Sequence, residues 1–112
     1  MKHYNIQNYI RYKNDVEKAI KCLPKKQWHE YTTKELEIKF LPLVENIARK
    51  FATSQQASGC MSILDLIQEG SFGLVKAVQR LDMERLLESD DMEKTLKSFF
   101  SKRIKGAIRR GI

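Results

Sequence analysis

Residues 62–82, S-I-L-D-L-I-Q-E-G-S-F-G-L-V-K-A-V-Q-R-L-D, constrain this chain more than any other stretch. Wound at about 100° per residue, they separate into two faces. Leu66, Ile67, Gly70, Gly73, Leu74, Ala77, Val78 and Leu81 fall on one, and Asp65, Gln68, Glu69, Lys76, Gln79 and Arg80 on the other. That division predicts an amphipathic helix burying one broad stripe. Two features exceed what a core helix needs. Gly70 and Gly73 lie within it, each at a cost of about 1 kcal/mol relative to alanine. They are best explained by a close helix–helix crossing where a Cβ would not fit. Phe72 projects through the polar face with Val75 at its edge. An apolar anchor ringed by Asp65, Gln68, Glu69 and Lys76 reads as a docking surface for another protein.

The flanking segments are helical too. Ile6, Tyr9, Ile10, Val16, Ala19, Ile20 and Leu23 recur at mostly helical spacing over residues 6–22, and Pro24 ends that run. Trp28 and Tyr31, in the polar link that follows, are expected to anchor it on the core. Thr32-Thr33-Lys34-Glu35 is a capping box that starts a further helix. Leu36, Phe40, Leu43, Val44, Ile47, Ala48 and Phe51 form its apolar stripe to about residue 53. Pro42 predicts a kink or short break near Leu41. Residues 53–61 read as a loop of small residues with Gly59 available for a positive φ. Ser62 is the expected cap of the central helix, with Asp65 in its first turn. Residues 83–92 fit either a helical extension or a mobile acidic loop, with Ser89 or Asp90 as N-cap of the last helix. That helix, about residues 91–110, presents Met92, Leu96, Phe99, Phe100, Ile104 and Ala107 on its apolar face. Lys94, Lys97, Ser98, Ser101, Lys102, Lys105 and Arg109 lie opposite, and Phe99, Arg103, Gly106 and Arg110 share one border.

The 112 residues suffice for one domain with a modest core. No apolar run is long enough to span a membrane, and the N-terminus lacks the apolar segment of a secretory signal. Cys22 and Cys60 stand apart from any metal-ligand or redox motif, which suggests a reducing compartment and two free thiols. The formal net charge is +7, unevenly spread. Residues 63–91 hold three Lys/Arg against seven Asp/Glu, whereas residues 92–112 hold seven against one. A basic end of this kind is the electrostatic footprint of a nucleic-acid contact; the competing reading is a solvated face that aids solubility.

No catalytic constellation is present. His3 and His29 have no partners at metal-ligand spacing, and the glycines of the central helix follow no strand, which excludes a phosphate-binding loop. The chain is therefore not expected to be an enzyme, nor to hold a metal or cofactor. Aromatic and guanidinium planes beside lysines can hold single-stranded nucleic acid, with stacking worth about 1–3 kcal/mol per base. Phe99, next to Lys102, Arg103 and Arg110, is the stacking candidate, with a core role as its rival. Phe100 lies deeper in the apolar face.

Residues 65–78, D-L-I-Q-E-G-S-F-G-L-V-K-A-V, resemble the central region-2 helix of bacterial sigma-70-type sigma factors. Residues 40–51, F-L-P-L-V-E-N-I-A-R-K-F, are similar to the preceding region-2 helix, and residues 96–112 to the helix that melts promoters and reads the −10 element. The resemblance covers roughly residues 32–112. It implies an all-α fold: a sigma region 2-like helical domain over 32–112, preceded by an additional N-terminal helix and linker over 1–31. It implies a cytoplasmic initiation factor, in a bacterial or phage-infected cell, that binds core RNA polymerase and directs recognition and melting of −10-like promoter DNA. The alternative is a sigma mimic that occupies the polymerase clamp and inhibits or redirects host transcription.

By position, the resemblance assigns Asp65, Gln68, Glu69, Ser71 and Val75, with Phe72 at their centre, to the clamp helices of the beta-prime subunit. It assigns Leu81, Asp82, Phe99, Lys102 and Arg103 to the non-template −10 strand, with Lys105 and Arg110 in the same DNA-binding set. Gly106 and Arg109 fall where the family reads the upstream edge of the −10 element. The chain departs from the family in four places. Lys102-Arg103 replaces the paired tryptophans that wedge the duplex open. Leu96 stands where an aromatic is usual, Gly106 replaces a polar base-reading side chain, and about seven extra residues lie between Asp82 and Leu96. The matched stretches stop short of the regions that read the −35 element, so a second polypeptide is expected to supply that contact, or the factor does without it.

Overall fold

A computed structural model describes residues 6–52 and 63–111, all-α apart from turns. Expectations for His3, the 53–61 loop with Gly59 and Cys60, and the Ser62 cap fall outside the described residues. The helices are α1 (Ile6–Lys21), α2 (Thr33–Lys39), α3 (Leu41–Ala52), α4 (Ile63–Gln79), α5 (Met83–Leu87) and α6 (Met92–Gly111), with a 3-10 turn at Trp28–Glu30. No helix among the described residues is long and apolar enough to cross a membrane.

The molecule is built around α4. Ile63, Leu66, Ile67, Gly70, Gly73, Leu74, Ala77 and Val78 are all buried along one stripe. α6 packs along that stripe more extensively than any other helix, and α3 lies against both. The two glycines make this closeness possible. A Cβ at Gly73 would lie 2.6 Å from the Ala107 Cβ and 3.0 Å from the Arg103 carbonyl oxygen. A Cβ at Gly70 would lie 2.9 Å from Val44 Cγ1, with Ile104 and Ile108 methyls just beyond. The cost of helical glycine is thus offset by the close approach of α6 at Gly73 and by the Val44, Ile104 and Ile108 side chains packed onto Gly70.

Pro42 acts as expected. α2 ends at Lys39, Phe40 leaves helical geometry at φ −102°, ψ 9°, and a new helix starts at Leu41 with proline in its first turn, where no backbone donor is needed. Phe40 then drives into the core and meets Phe100 edge-on, with ring centroids 4.9 Å apart. Trp28 packs on Phe40 at 5.5 Å and on Tyr31 at 5.7 Å, with the Lys39 ammonium over the Trp28 and Tyr31 rings. Tyr31 is buried, so the link after α1 is anchored as anticipated. The Thr32–Glu35 capping box forms in both directions, at 3.1 and 2.9 Å. The Thr32 backbone N–H, followed by the Lys26 ammonium, holds the Glu35 carboxyl below its ordinary range.

Five expectations are corrected. The central helix stops at Gln79 rather than Asp82, because the Asp82 carboxylate accepts from the Glu84 and Arg85 backbone N–H groups and starts α5. Residues 83–92 are accordingly neither an extension nor a loop. They contain a separate short helix whose Leu86 is buried while Leu87 stays exposed. The cap of α6 is Asp91, whose carboxylate accepts from Lys94 N–H at 3.1 Å; Ser89 instead donates to the Asp91 carbonyl. Ile10 is 51% exposed rather than part of the inner face of α1, and Ile108, absent from the expected face of α6, is fully buried.

Candidate polymerase-docking and nucleic-acid interface

The expected site residues lie on two surfaces, one on α4 and one on α6. On α4 the buried stripe forces Phe72 outward, where 58% of it is exposed. The Lys76 ammonium, one turn further on, sits 4.4 Å above the ring. A cation over an exposed aromatic is worth about 0.5–1 kcal/mol; it holds the ring against the helix yet leaves its other face open. Gln68 is exposed, and Asp65, Glu69, Ser71 and Val75 are half-buried around it. All six expected docking residues therefore lie on one solvent-facing side of a helix whose opposite side is locked into the core.

Ser71 has a neighbour that sequence periodicity did not reveal. Tyr12, from α1, buries its hydroxyl beside Ser71 and Glu45, with no hydrogen bond of good geometry. Burial, then the Glu45 charge, pushes the phenol up to about 12, against a smaller opposing effect of the Ser71 hydroxyl. Glu45 itself collects three partners. The Tyr9 hydroxyl donates to it, the Lys13 ammonium lies at 3.6 Å, and the Arg49 guanidinium at 3.5 Å.

On α6 the expected nucleic-acid residues divide by depth. Lys102, Arg103, Lys105, Arg109 and Arg110 are exposed, and Phe99 and Gly106 are half-buried on the border of the apolar face. The Arg103 guanidinium lies 5.3 Å from the centroid of Phe99, one helical turn back, and Phe99 leans on Phe100 at 5.6 Å. Phe99 thus has one side in the core and the other beneath a cation, while Phe100 is wholly core. At the far end, the Arg109 guanidinium approaches the buried ring of Phe51 at 5.8 Å. Nothing crowds Gly106: only Arg110 Nη1, at 3.8 Å, comes near a Cβ built there. Leu81 is half-buried beyond the end of α4, and Asp82, though exposed, has its carboxylate engaged in capping α5.

The sequence placed Lys76 beside Phe72 and Arg103 beside Phe99; the structure adds that each cation lies over its ring, at the i,i+4 spacing that favours such contacts on a helix. Sequence reasoning missed Glu45 and Tyr12, whose meeting depends on how α1 lies across the domain.

An exposed aromatic on one helix and a basic border on another are the two surfaces this all-α module offers to partners. The family is more specific. The Sigma-70 region 2 family model matches residues 38–112, two thirds of the chain, and the chain belongs to that family. Its members are non-enzymatic transcription factor domains, and the match gives this chain a sigma-factor-like role in transcription initiation, with core RNA polymerase and promoter DNA as partners. No curated protein and no solved structure matches it. α1, the 3-10 turn and most of α2 precede the matched span.

Proposed function

We propose that this chain docks on the clamp helices of the polymerase beta-prime subunit through Asp65, Gln68, Glu69, Ser71, Phe72 and Val75, and holds the opened non-template −10 strand on α6. The observation that carries the reading is the exposure of Phe72, which the burial of Gly70, Gly73 and Leu74 beneath it forces outward. Docking on this face leaves the basic surface of α6 available for DNA. Lys102, Lys105, Arg109 and Arg110 neutralise phosphates there, and Phe99 supplies a stacking plane for a flipped base, which costs a few kcal/mol to unstack. Residues 32–112 act as the region 2-like unit in this reading, in the cytoplasm where the polymerase works, with a second polypeptide as the source of any −35 contact.

Phe72→Ala combined with Glu69→Lys tests the docking face. Both positions point away from the core, so the fold is retained and binding to core polymerase is lost. Unchanged affinity in a folded double variant would refute the surface. A second reading, a mimic that occupies the clamp without reading a promoter, is favoured by one observation: Lys102 and Arg103, both exposed, offer no apolar wedge to part a duplex.

A further inference from the structure

α3 contributes no residue to either surface described above, yet its far end is strongly basic. Arg49 and Lys50 occupy its last turn, and both are exposed. α6 ends in the same way, with Arg109 and Arg110 exposed in its last turn and Lys105 exposed one turn back. The two ends lie side by side: the Arg109 guanidinium is 5.8 Å from the centroid of Phe51, the residue that follows Lys50. A basic last turn complements the dipole of its own helix. That accounts for one such turn, but two together gather like charges that repel. The local sequence supplies no acid to offset them, since residues 46–64 and 94–112 contain no Asp or Glu. The carboxylate that reaches Arg49, at 3.5 Å, is Glu45, which also serves Lys13 at 3.6 Å and the Tyr9 hydroxyl. A polyanion laid across both helix ends relieves the repulsion.

The patch differs in kind from the middle of α6. There Phe99 is half-buried beside the Arg103 guanidinium and offers part of a ring. Here the aromatic, Phe51, is buried and lies against Arg109, so it offers no ring to a base. A single-strand site combines cations with an accessible aromatic, whereas charge without a stacking plane suits the phosphates of paired DNA. From Phe99 to Arg109 is about 15 Å along the axis of α6, or about four base steps of a duplex. We propose that the joined ends of α3 and α6 form a saddle for the phosphates of double-stranded DNA. Arg49 and Lys50 continue the basic row of α6 onto the duplex that borders the opened strand on its upstream side. The inference rests on the reading that α6 holds that strand.

The test measures binding of the full chain by fluorescence anisotropy, from low salt upward, to two probes. One is a −10-like single strand, and the other is the same strand extended upstream into a fork by about ten base pairs of duplex. Wild type binds the fork more tightly and with the steeper salt dependence. Arg49→Gln with Lys50→Gln leaves single-strand binding unchanged, which also shows the variant to be folded. It lowers the salt slope on the fork by about 0.9 for each phosphate released, or about 1.8 for both. An equal salt slope for the two proteins on the fork overturns the saddle and leaves the strand-holding reading standing. Equal weakening on both probes, in a variant whose circular dichroism matches wild type, also overturns it, because Arg49 and Lys50 then serve the strand and not the duplex. Failure of wild type to bind the single strand overturns the strand-holding reading, and the saddle falls with it.

Discussion

Gly73 on α4 and Gly106 on α6 differ in what surrounds them, and that difference is measurable. Gly73→Ala sets a methyl group against the Ala107 Cβ and the Arg103 carbonyl, neither of which is a flexible side-chain end. The overpacking outweighs the gain in helix propensity, and thermal unfolding is expected to report a loss of about 1–3 kcal/mol. Gly106→Ala meets only ordinary contact with a flexible arginine, so the same measurement reports no loss or a gain of up to about 1 kcal/mol. Tyr12 gives a pH-dependent counterpart. Its folded value, about 12, lies above the ordinary 10.0, so folding favours the neutral phenol. The stability this contributes is whole below pH 10 and is lost as pH rises towards 12. Base titration followed by tyrosinate absorbance should find one phenol ionising near pH 12, and Tyr12→Phe should remove that step.

At the level of elements, the alternation of polar and apolar residues carried most of the information. Burial along α4 follows the predicted stripe from Leu66 to Val78, and Pro42 marked the break between α2 and α3. The stripe was less informative at the end of α4, because Leu81 keeps the helical spacing after the helix has stopped. What stops it is a local competition: the Asp82 carboxylate offers the Glu84 and Arg85 N–H groups a partner that a continued helix would not. The same reasoning assigns the start of α6 to Asp91. Asp91→Ala should cost about 1 kcal/mol and speed amide exchange in the first turn of α6, whereas Asp90→Ala should change neither. The fastening of α1 to α3 was beyond this kind of reading. Tyr9 and Glu45 are 36 residues apart, and nothing in the spacing of either helix says that they meet. The exposure of Phe72 was legible because a lone aromatic on an otherwise polar side is a local property of α4.

Across the whole molecule, the acidic and apolar docking face on α4 and the basic border of α6 lie on two helices packed against each other along their length. In the proposed reading one packed pair of helices presents both the polymerase-facing and the DNA-facing surface, and the position of one fixes the other. The charge contrast seen in the sequence is the outward sign of that arrangement. DNA binding by the free domain should be weak and should fall steeply with salt. Replacing Lys102 and Arg109 by glutamine should lower the single-strand salt slope by about 0.7 for each phosphate no longer neutralised. Phe99→Leu keeps an apolar group against Phe100 but removes the stacking plane. It should weaken single-strand binding by about 1–3 kcal/mol at unchanged salt slope, which separates stacking from charge.

The central claim is that this chain both docks on core polymerase and uses the captured strand to start transcription. In vitro transcription with core polymerase and this protein, on fork DNA with a premelted −10 segment, tests it most directly. The account predicts specific transcripts that depend on the protein and disappear with the Phe72→Ala, Glu69→Lys variant. Competition with a host sigma factor for core polymerase, without any transcript from the premelted template, would contradict it and identify the chain as a clamp-occupying mimic.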